Sequence, residues 1–268
     1  MGLSIVVCVK PVPDPSHYDR ITIDPKTKLL VRQGIPTVIN PGDKHAIEAA
    51  LQIRDEIGGT VVSITMAPPE AAETLREVLA MGVDEAYLLS DRAFAGADTL
   101  ATVRALAAGI TKIGHFDLVL TGSESADGGT AHVPSQLGEV LGVGHLTNVR
   151  EIKWAEDGTL LMKSKIENGF LEVEGRLPLV LGIARDMNTP RYATLMGIVA
   201  AQSKRLQVWQ CGDLQVGAGC FGLAGSPTQP GELRVLEARR EGKVLKEEPG
   251  QIAAEIIAIM RAAGVLKA

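Results

Sequence analysis

The sequence predicts an α/β protein built on a parallel sheet with helices on both faces, followed by a C-terminal extended arm and helix. Three observations lead there. Short apolar runs alternate with amphipathic helical patterns through the first half of the chain. The apolar runs are continuous rather than alternating, as strands buried on both faces require. Helical stretches of 12–18 residues separate them, long enough for βαβ crossovers.

The elements follow in order. LSIVVCV (3–9) reads as a buried strand, and ITIDPKTKLLV (21–31) as a hairpin around Asp24-Pro25. NPGDKHAIEAALQIRDEIG (40–58) opens on Asn-Pro and carries Ala46, Ala49, Ala50 and Ile53 at helical spacing. TVVSITMA (60–67) is a second buried strand. PPEAAETLREVLAMG (68–82) is a helix with Pro at its start and Gly at its end. EAYLLS (85–90) is the third strand. ADTLATVRALAAGITKIG (97–114) is a helix with Asp98 as its cap, and FDLVLTG (116–122) is the fourth strand.

After residue 142 the pattern changes. HLTNVREIKW, GTLLMKSKI and GFLEVEGR alternate with period two, as an antiparallel meander does. LPLVLGIA (177–184) returns to a buried strand, and RYATLMGIVAAQSKRLQVW (191–209) reads as a short helix and a strand. From 210 onward Gly, Pro and charge rise. Residues 210–248 read as an extended arm with one strand at 233–240, and PGQIAAEIIAIMRAAGVL (249–266) as a terminal amphipathic helix.

The chain has 268 residues, 46% of them hydrophobic, enough for a sizeable core. A net charge of −5 argues against non-specific binding to nucleic acid or membrane surfaces. No apolar run reaches a membrane span of about 18 residues, and the N-terminus lacks a basic signal-type region. Cys8, Cys211 and Cys220 are odd in number and widely spaced, which fits a reducing cytoplasm. The histidines show no metal-ligand spacing. Aromatics are only 3%, so a bound nucleotide would be gripped by backbone and polar groups rather than by stacking.

Ligands of open parallel sheets bind beyond the carboxyl ends of the strands. The candidate loops are therefore 8–15, 66–69 and 122–131, joined by the helix start at 40–43. The richest is TGSESADGGTAHVPSQLGEVLG (121–142), a strand-to-helix turn with two glycines and Thr130 as a candidate cap. Val133, Leu137, Val140 and Leu141 then fall on one helical face. Locally two readings stand: a phosphate cradle at a helix N-terminus, or an ordinary turn in which the glycines only make the bend.

Other patterns carry no chemistry. Gly217-Ala-Gly219-Cys-Phe-Gly222 fits G-x-G-x-x-G, but LAGSPTQPGE follows it and cannot be the required helix. Asp127-Gly128-Gly129-Thr130 lacks the Gly-Lys-Ser/Thr of a P-loop. Cys8 reads as a small core residue beside the site, and His45 as a solvated or salt-bridged residue. No nucleophile–base–acid set is evident, so no catalytic residue is assigned.

Five segments, in order, resemble the β subunit of electron transfer flavoproteins, including its FixA-like branch: VCVKPVPDP (7–15), NPGDKHAIEAAL (40–51), LAMGVDEAYLL (79–89), residues 121–142, and RYATLMGIVAAQSKRL (191–206). The resemblance covers essentially the whole chain. It implies an adenine-nucleotide-binding domain of the adenine nucleotide alpha hydrolase-like kind over 1–209, with the arm and helix of 210–268 packing on a partner subunit. It implies a heterodimer with an α subunit that carries a redox FAD. That complex moves electrons between NADH or a flavin dehydrogenase of the acyl-CoA dehydrogenase type and an acceptor. The chain would then be an electron-carrier subunit with oxidoreductase activity only in the complex.

The resemblance also places residues. Cys8, Asn40, Pro41, Gly42, Asp43 and Met66 would surround the adenosine half of the nucleotide. Gly122, Glu124, Asp127, Gly128, Gly129, Thr130, Ala131, His132, Val133, Pro134 and Ser135 would hold ribose and phosphates, with the N–H groups of residues 128–131 on a phosphate. Arg191, Tyr192 and Leu195 would meet the dehydrogenase. Members that hold AMP carry consecutive acids and Cys-Asn at the turn, whereas members that hold FAD and bifurcate electrons carry Asp-Gly-Asp-Thr-Ala-Gln. Asp127-Gly128-Gly129-Thr130-Ala131-His132 is nearer the second and departs from it at Gly129 and His132, so FAD is expected, with AMP the alternative. A stand-alone adenine-nucleotide module is the alternative of another class.

Overall fold

Ile5, Val7 and Val9 pack on one side of the first strand and Val6 and Cys8 on the other, which is why LSIVVCV reads as an unbroken apolar run. The computed structural model describes residues 2–20, 22–23, 30–31, 34–155, 158–229, 231 and 242–266. The chain runs through β1 (Leu3–Cys8), β2 (Pro11–Pro13), the short pair β3 (Thr22–Ile23) and β4 (Leu30–Val31), and β5 (Thr37–Ile39). It continues through α1 (Pro41–Ile57), β6 (Gly59–Met66), α2 (Ala71–Met81), β7 (Glu85–Leu89), α3 (Thr99–Ile113), β8 (Leu118–Gly122) and α4 (Val133–Leu141). Then come β9 (Gly144–Trp154), β10 (Leu160–Ile166), β11 (Gly169–Gly175), β12 (Leu179–Ile183), α5 (Leu195–Ala201), β13 (Leu206–Trp209) and α6 (Pro249–Ala262).

Among the described residues nine strands form one sheet in the order β11-β10-β9-β12-β8-β1-β6-β7-β13. Pairing is parallel except within the β9–β10–β11 meander. Apolar residues of α1, α2 and α5 cover one face, and those of α3 and α4 the other. The α/β class and the parallel sheet predicted from the alternation are what the chain builds. The 21–31 hairpin is present as the β3–β4 pair, but its turn at Asp24-Pro25 lies outside the described residues, as does the strand expected at 233–240.

Local chemistry sets the helix limits. Asp98 caps α3, accepting the Ala101 N–H at 2.9 Å, as predicted. Thr194 caps α5 in the same way, accepting the Gly197 N–H at 3.0 Å. Thr130 does not cap α4: the helix starts three residues later, and His132, at the cap position, makes no side-chain cap bond. The reason is the turn itself, which bends through left-handed Gly129 (φ 57°) and Ala131 (φ 55°) before the helix begins. Of the residues predicted for the buried face of α4, Leu137 is buried and Val133 and Leu141 pack against the same cluster. Pro134, Leu137 and Gly138 are buried, whereas Val140, at the edge of that face, is 43% exposed.

Two compact units are present, Met1–Gly231 and Glu232–Ala268. The first runs past residue 209, because Cys211, Leu214 and Phe221 join the apolar cluster beneath α3. Phe221 meets Phe94 edge-on with centroids 5.3 Å apart, and Asp98 accepts both the N–H and the hydroxyl of Thr228. The G-x-G-x-x-G lookalike at 217–222 lies in this packed segment as a 3-10 turn, and no helix starts in it. The second unit contains α6, in which no residue is buried.

Candidate functional site

The chain passes from β1 to β6 to β7 on one side of β1, then crosses back to place β8 on the other. This reversal between β1 and β8 is a topological switch point, where the loops leaving neighbouring strands diverge and open a crevice. The loop after β1, the start of α1 and the loop after β8 meet there. Met66 ends β6 alongside and packs against the cluster that contains Cys8.

Asn40 and Asp43 join these segments. Asn40 is 1% exposed. Its side chain caps no N–H of its own helix and reaches the far loop as well as Asp43. Nδ2 donates to the Glu124 carbonyl at 2.9 Å and to Asp43 Oδ1 at 2.9 Å, while Oδ1 accepts the Ala126 N–H at 3.0 Å. Asp43 Oδ1 accepts the Gly122 N–H at 3.1 Å, and Oδ2 accepts the Lys10 N–H at 2.7 Å. The Lys10 carbonyl accepts the Asn40 N–H at 2.9 Å, closing the circuit.

Gly42 and Gly122 permit this approach. A Cβ on Gly122 would lie 2.4 Å from Asp43 Oδ1, and one on Gly42 3.3 Å from the Glu124 carbonyl oxygen. Both glycines therefore serve the packing of one loop on another. Burial pushes the Asp43 carboxyl up to about 6, against the pull of Asn40 and the Lys10 and Gly122 N–H groups. The same burial, with Asp43 beside it, pushes the Cys8 thiol far above its ordinary range, so Cys8 is an inert packing residue at the strand end.

The turn rises from this base. Ser125 holds it from within: its carbonyl accepts the Gly129 N–H at 2.9 Å and its hydroxyl faces the Gly128 N–H at 3.3 Å. Two of the four N–H groups expected to face a phosphate are thus engaged inside the turn. Those of Thr130 and Ala131 have no partner among the described residues. A Cβ on Gly129 would meet nothing within 4 Å, so the turn opens on free space. A left-handed alanine is uncommon and costs about 1 kcal/mol or more, a strain typical of ligand-binding turns. Backbone N–H groups in such a bend form an anion-binding concavity.

The predicted residues thus fall into groups. Cys8, Asn40, Pro41, Gly42, Asp43, Gly122, Glu124, Asp127, Gly128 and Gly129 come together at the crevice, with Thr130, Ala131 and His132 exposed on its rim. Pro134 is buried facing β12, and Val133 leans on the core, so both support the turn from below. Arg191, Tyr192 and Leu195 lie elsewhere. Arg191 grips buried Glu48 on α1 through its N–H, Nε and Nη2, and Asp55 through Nη1. That clamp fixes the segment in which Tyr192 is 92% and Leu195 78% exposed. Leu195 is not a core leucine.

Lys10 was missed by sequence reasoning. Its ammonium lies 2.5 Å from Asp127 Oδ1 and 3.4 Å from Ser125 Oγ. The available signal was its position at the end of β1, in a loop already marked as a candidate.

The sequence pattern of the electron transfer flavoprotein domain matches residues 27–214. A caffeyl-CoA reductase–Etf complex subunit, CarD, of Acetobacterium woodii is 46% identical over 228 residues, which cover 85% of this chain and 86% of the relative. The electron transfer flavoprotein subunit beta of Clostridium acetobutylicum is 39% identical over 259 residues, covering 97% and 98% of the two chains. Protein FixA of Bradyrhizobium diazoefficiens is 38% identical over 259 residues, covering 94% and 89%.

Proposed function

Because the chain belongs to the electron transfer flavoprotein family and aligns along its length with a β subunit and a FixA protein, we propose that it is the β subunit of a flavin-carrying αβ heterodimer that holds FAD in the β1–β8 crevice. The observation that carries this is the turn at 127–131. Its glycines add no side chain, its two left-handed residues curve the backbone, and the Thr130 and Ala131 N–H groups have no partner among the described residues. These features fit a phosphate ester approached by backbone, in keeping with an aromatic share of only 3%. When bound here, FAD supplies hydride acceptance from NADH and the division of the two electrons between separate acceptors.

The chain's own residues bind and orient. The Thr130 and Ala131 N–H groups and the Thr130 hydroxyl hold phosphate oxygens. Asn40 and Asp43 keep the 122–126 loop in place before the ligand arrives, which lowers the ordering cost of binding. Cys8, Gly42 and Met66 line the adenosine end. Residues 127–131 carry one acid, Asp127, so repulsion of a second phosphate at the turn is limited to that carboxylate.

Tyr192, Leu195 and Met196 form an exposed apolar group on the rigid Arg191 clamp, suited to a transient partner. The relative from a caffeyl-CoA reductase–Etf complex supports a dehydrogenase or reductase of acyl-CoA type as that partner. The C-terminal segment with α6, which presents Ile256, Ile257 and Ile259 to solvent, docks on the α subunit.

Co-expression with its α subunit should yield a 1:1 flavin-containing complex that NADH reduces. A chain that stays monomeric beside that subunit while binding adenine nucleotide would be a stand-alone module and overturn the reading.

A further inference from the structure

Lys10 combines a backbone held at both its N–H and its carbonyl with a partly exposed charged side chain. Its N–H is held by Asp43 Oδ2 at 2.7 Å and its carbonyl by the Asn40 N–H at 2.9 Å, so the side chain starts from a rigid base. It crosses to the opposite loop, where Nζ rests on Asp127 Oδ1 and Ser125 Oγ. There the ammonium is 3.9 Å from the point where a Gly128 Cβ would lie, directly beside the glycine turn. Its side chain is still 45% exposed, against 10% for Asp127, so it can swing without unpacking anything.

Charge makes the position significant. In segments 9–14, 40–43, 66–69 and 122–132, Lys10 is the single lysine or arginine, while Asp14, Asp43, Glu124 and Asp127 are acidic. The N–H groups of Thr130 and Ala131, without a partner among the described residues, can satisfy one phosphate. A second phosphate at the turn would lie beside the Asp127 carboxylate, and the ammonium that already rests on that carboxylate can turn to it.

We propose that Lys10 is a specificity residue of this site, exchanging Asp127 for the second phosphate of a nucleoside diphosphate group and so selecting diphosphate-containing adenine ligands over the monophosphate. This rests on the reading of the crevice as a nucleotide site. A monophosphate leaves the Lys10–Asp127 pair intact and gains little from it. A diphosphate recruits the ammonium through a charge-assisted hydrogen bond.

The test is calorimetric titration of the nucleotide-stripped heterodimer with AMP and with ADP. The unaltered protein should bind ADP at least about tenfold more tightly than AMP. Lys10→Met should lower ADP affinity by roughly tenfold to a hundredfold, the worth of one hydrogen bond to a charged group, and AMP affinity by less than about threefold. Lys10→Arg should retain most of the ADP preference. Because the ion is partly exposed, that preference should shrink as salt rises. Equal losses for AMP and ADP would show that Lys10 only braces the turn and would overturn the proposal. So would an unchanged ADP affinity. If the unaltered protein bound neither nucleotide, the nucleotide reading itself would fail, an outcome distinct from both.

Discussion

Asn40 and Ala126 lie 86 positions apart in the chain, yet Asn40 Oδ1 accepts the Ala126 N–H at 3.0 Å while Nδ2 of the same amide donates to the Glu124 carbonyl at 2.9 Å. One buried amide thereby ties the start of α1 to the loop after β8. The two bonds impose a single height on that loop and hold the 127–131 turn over the end of β1.

Asn40→Ala should therefore loosen the turn without dismantling the sheet. Losing buried hydrogen bonds and leaving the Ala126 N–H unpaired should cost about 1–3 kcal/mol in stability. Nucleotide affinity should fall roughly tenfold or more, because the binding loop must then be ordered on each binding event. Hydrogen exchange of residues 122–131 together with a thermal melt would check it; unchanged protection there would contradict the bridging role.

Asp43 should give an inverted pH dependence. Burial raises its folded value to about 6 from 3.8. The native state therefore binds more protons than the unfolded chain between those values, and this group's contribution to stability falls as pH rises through that window, then levels off. Asp43→Asn removes the titration. The stability advantage of the unaltered protein over the variant should be greater at pH 4.5 than at pH 7 by about 2 kcal/mol, the part of the shift of some two pKa units that falls between those pH values. An advantage that grew with pH would show that the hydrogen bonds to the ionised carboxylate outweigh its desolvation.

At Gly129 the expected variant is one that folds and does not bind. With φ at 57° and nothing within 4 Å of a built Cβ, Gly129→Val strains the turn and directs its side chain into the open space before it. The cost in stability should be about 1–2 kcal/mol, while nucleotide retention through purification should be lost. A variant that kept full nucleotide occupancy would reduce the motif to a turn.

The segment around α5 separates a structural role from a recognition role. Leu195→Ala should leave the melting temperature unchanged, since the side chain is exposed, and weaken electron transfer from the dehydrogenase. Arg191→Ala should do the opposite at first order, losing about 1–3 kcal/mol because Glu48 is left buried and unpaired, a figure lowered from the fully buried case by the partial exposure of Arg191. A destabilised Leu195→Ala protein would return this leucine to the core.

The sheet and its helices were legible because the central strands, such as β8 and β12, are buried throughout and α1 to α4 on one face, so burial is written into local apolar periodicity. Asp98 could be named as a cap for the same reason, since its bond to Ala101 is local. What escaped depends on residues distant in sequence. Asn40 looked like part of a helix start, but its partners are at 124 and 126. Lys10 looked like ordinary punctuation after a strand, and only the arrival of the β8 loop gives it Asp127. Phe221 sits in a stretch whose Gly, Pro and charge resemble an arm, yet it is a core residue because Phe94 and the α3 cluster wait for it. Thr130 was a reasonable cap until the left-handed Ala131 delayed the helix.

The crevice between β1 and β8 is proposed to hold FAD against the 127–131 turn. The most direct measurement is to heat-denature the purified αβ complex and quantify the released nucleotides by chromatography. Two FAD per heterodimer are predicted, and Gly129→Val should retain only the one carried by the α subunit. One FAD and one AMP per heterodimer would contradict the claim.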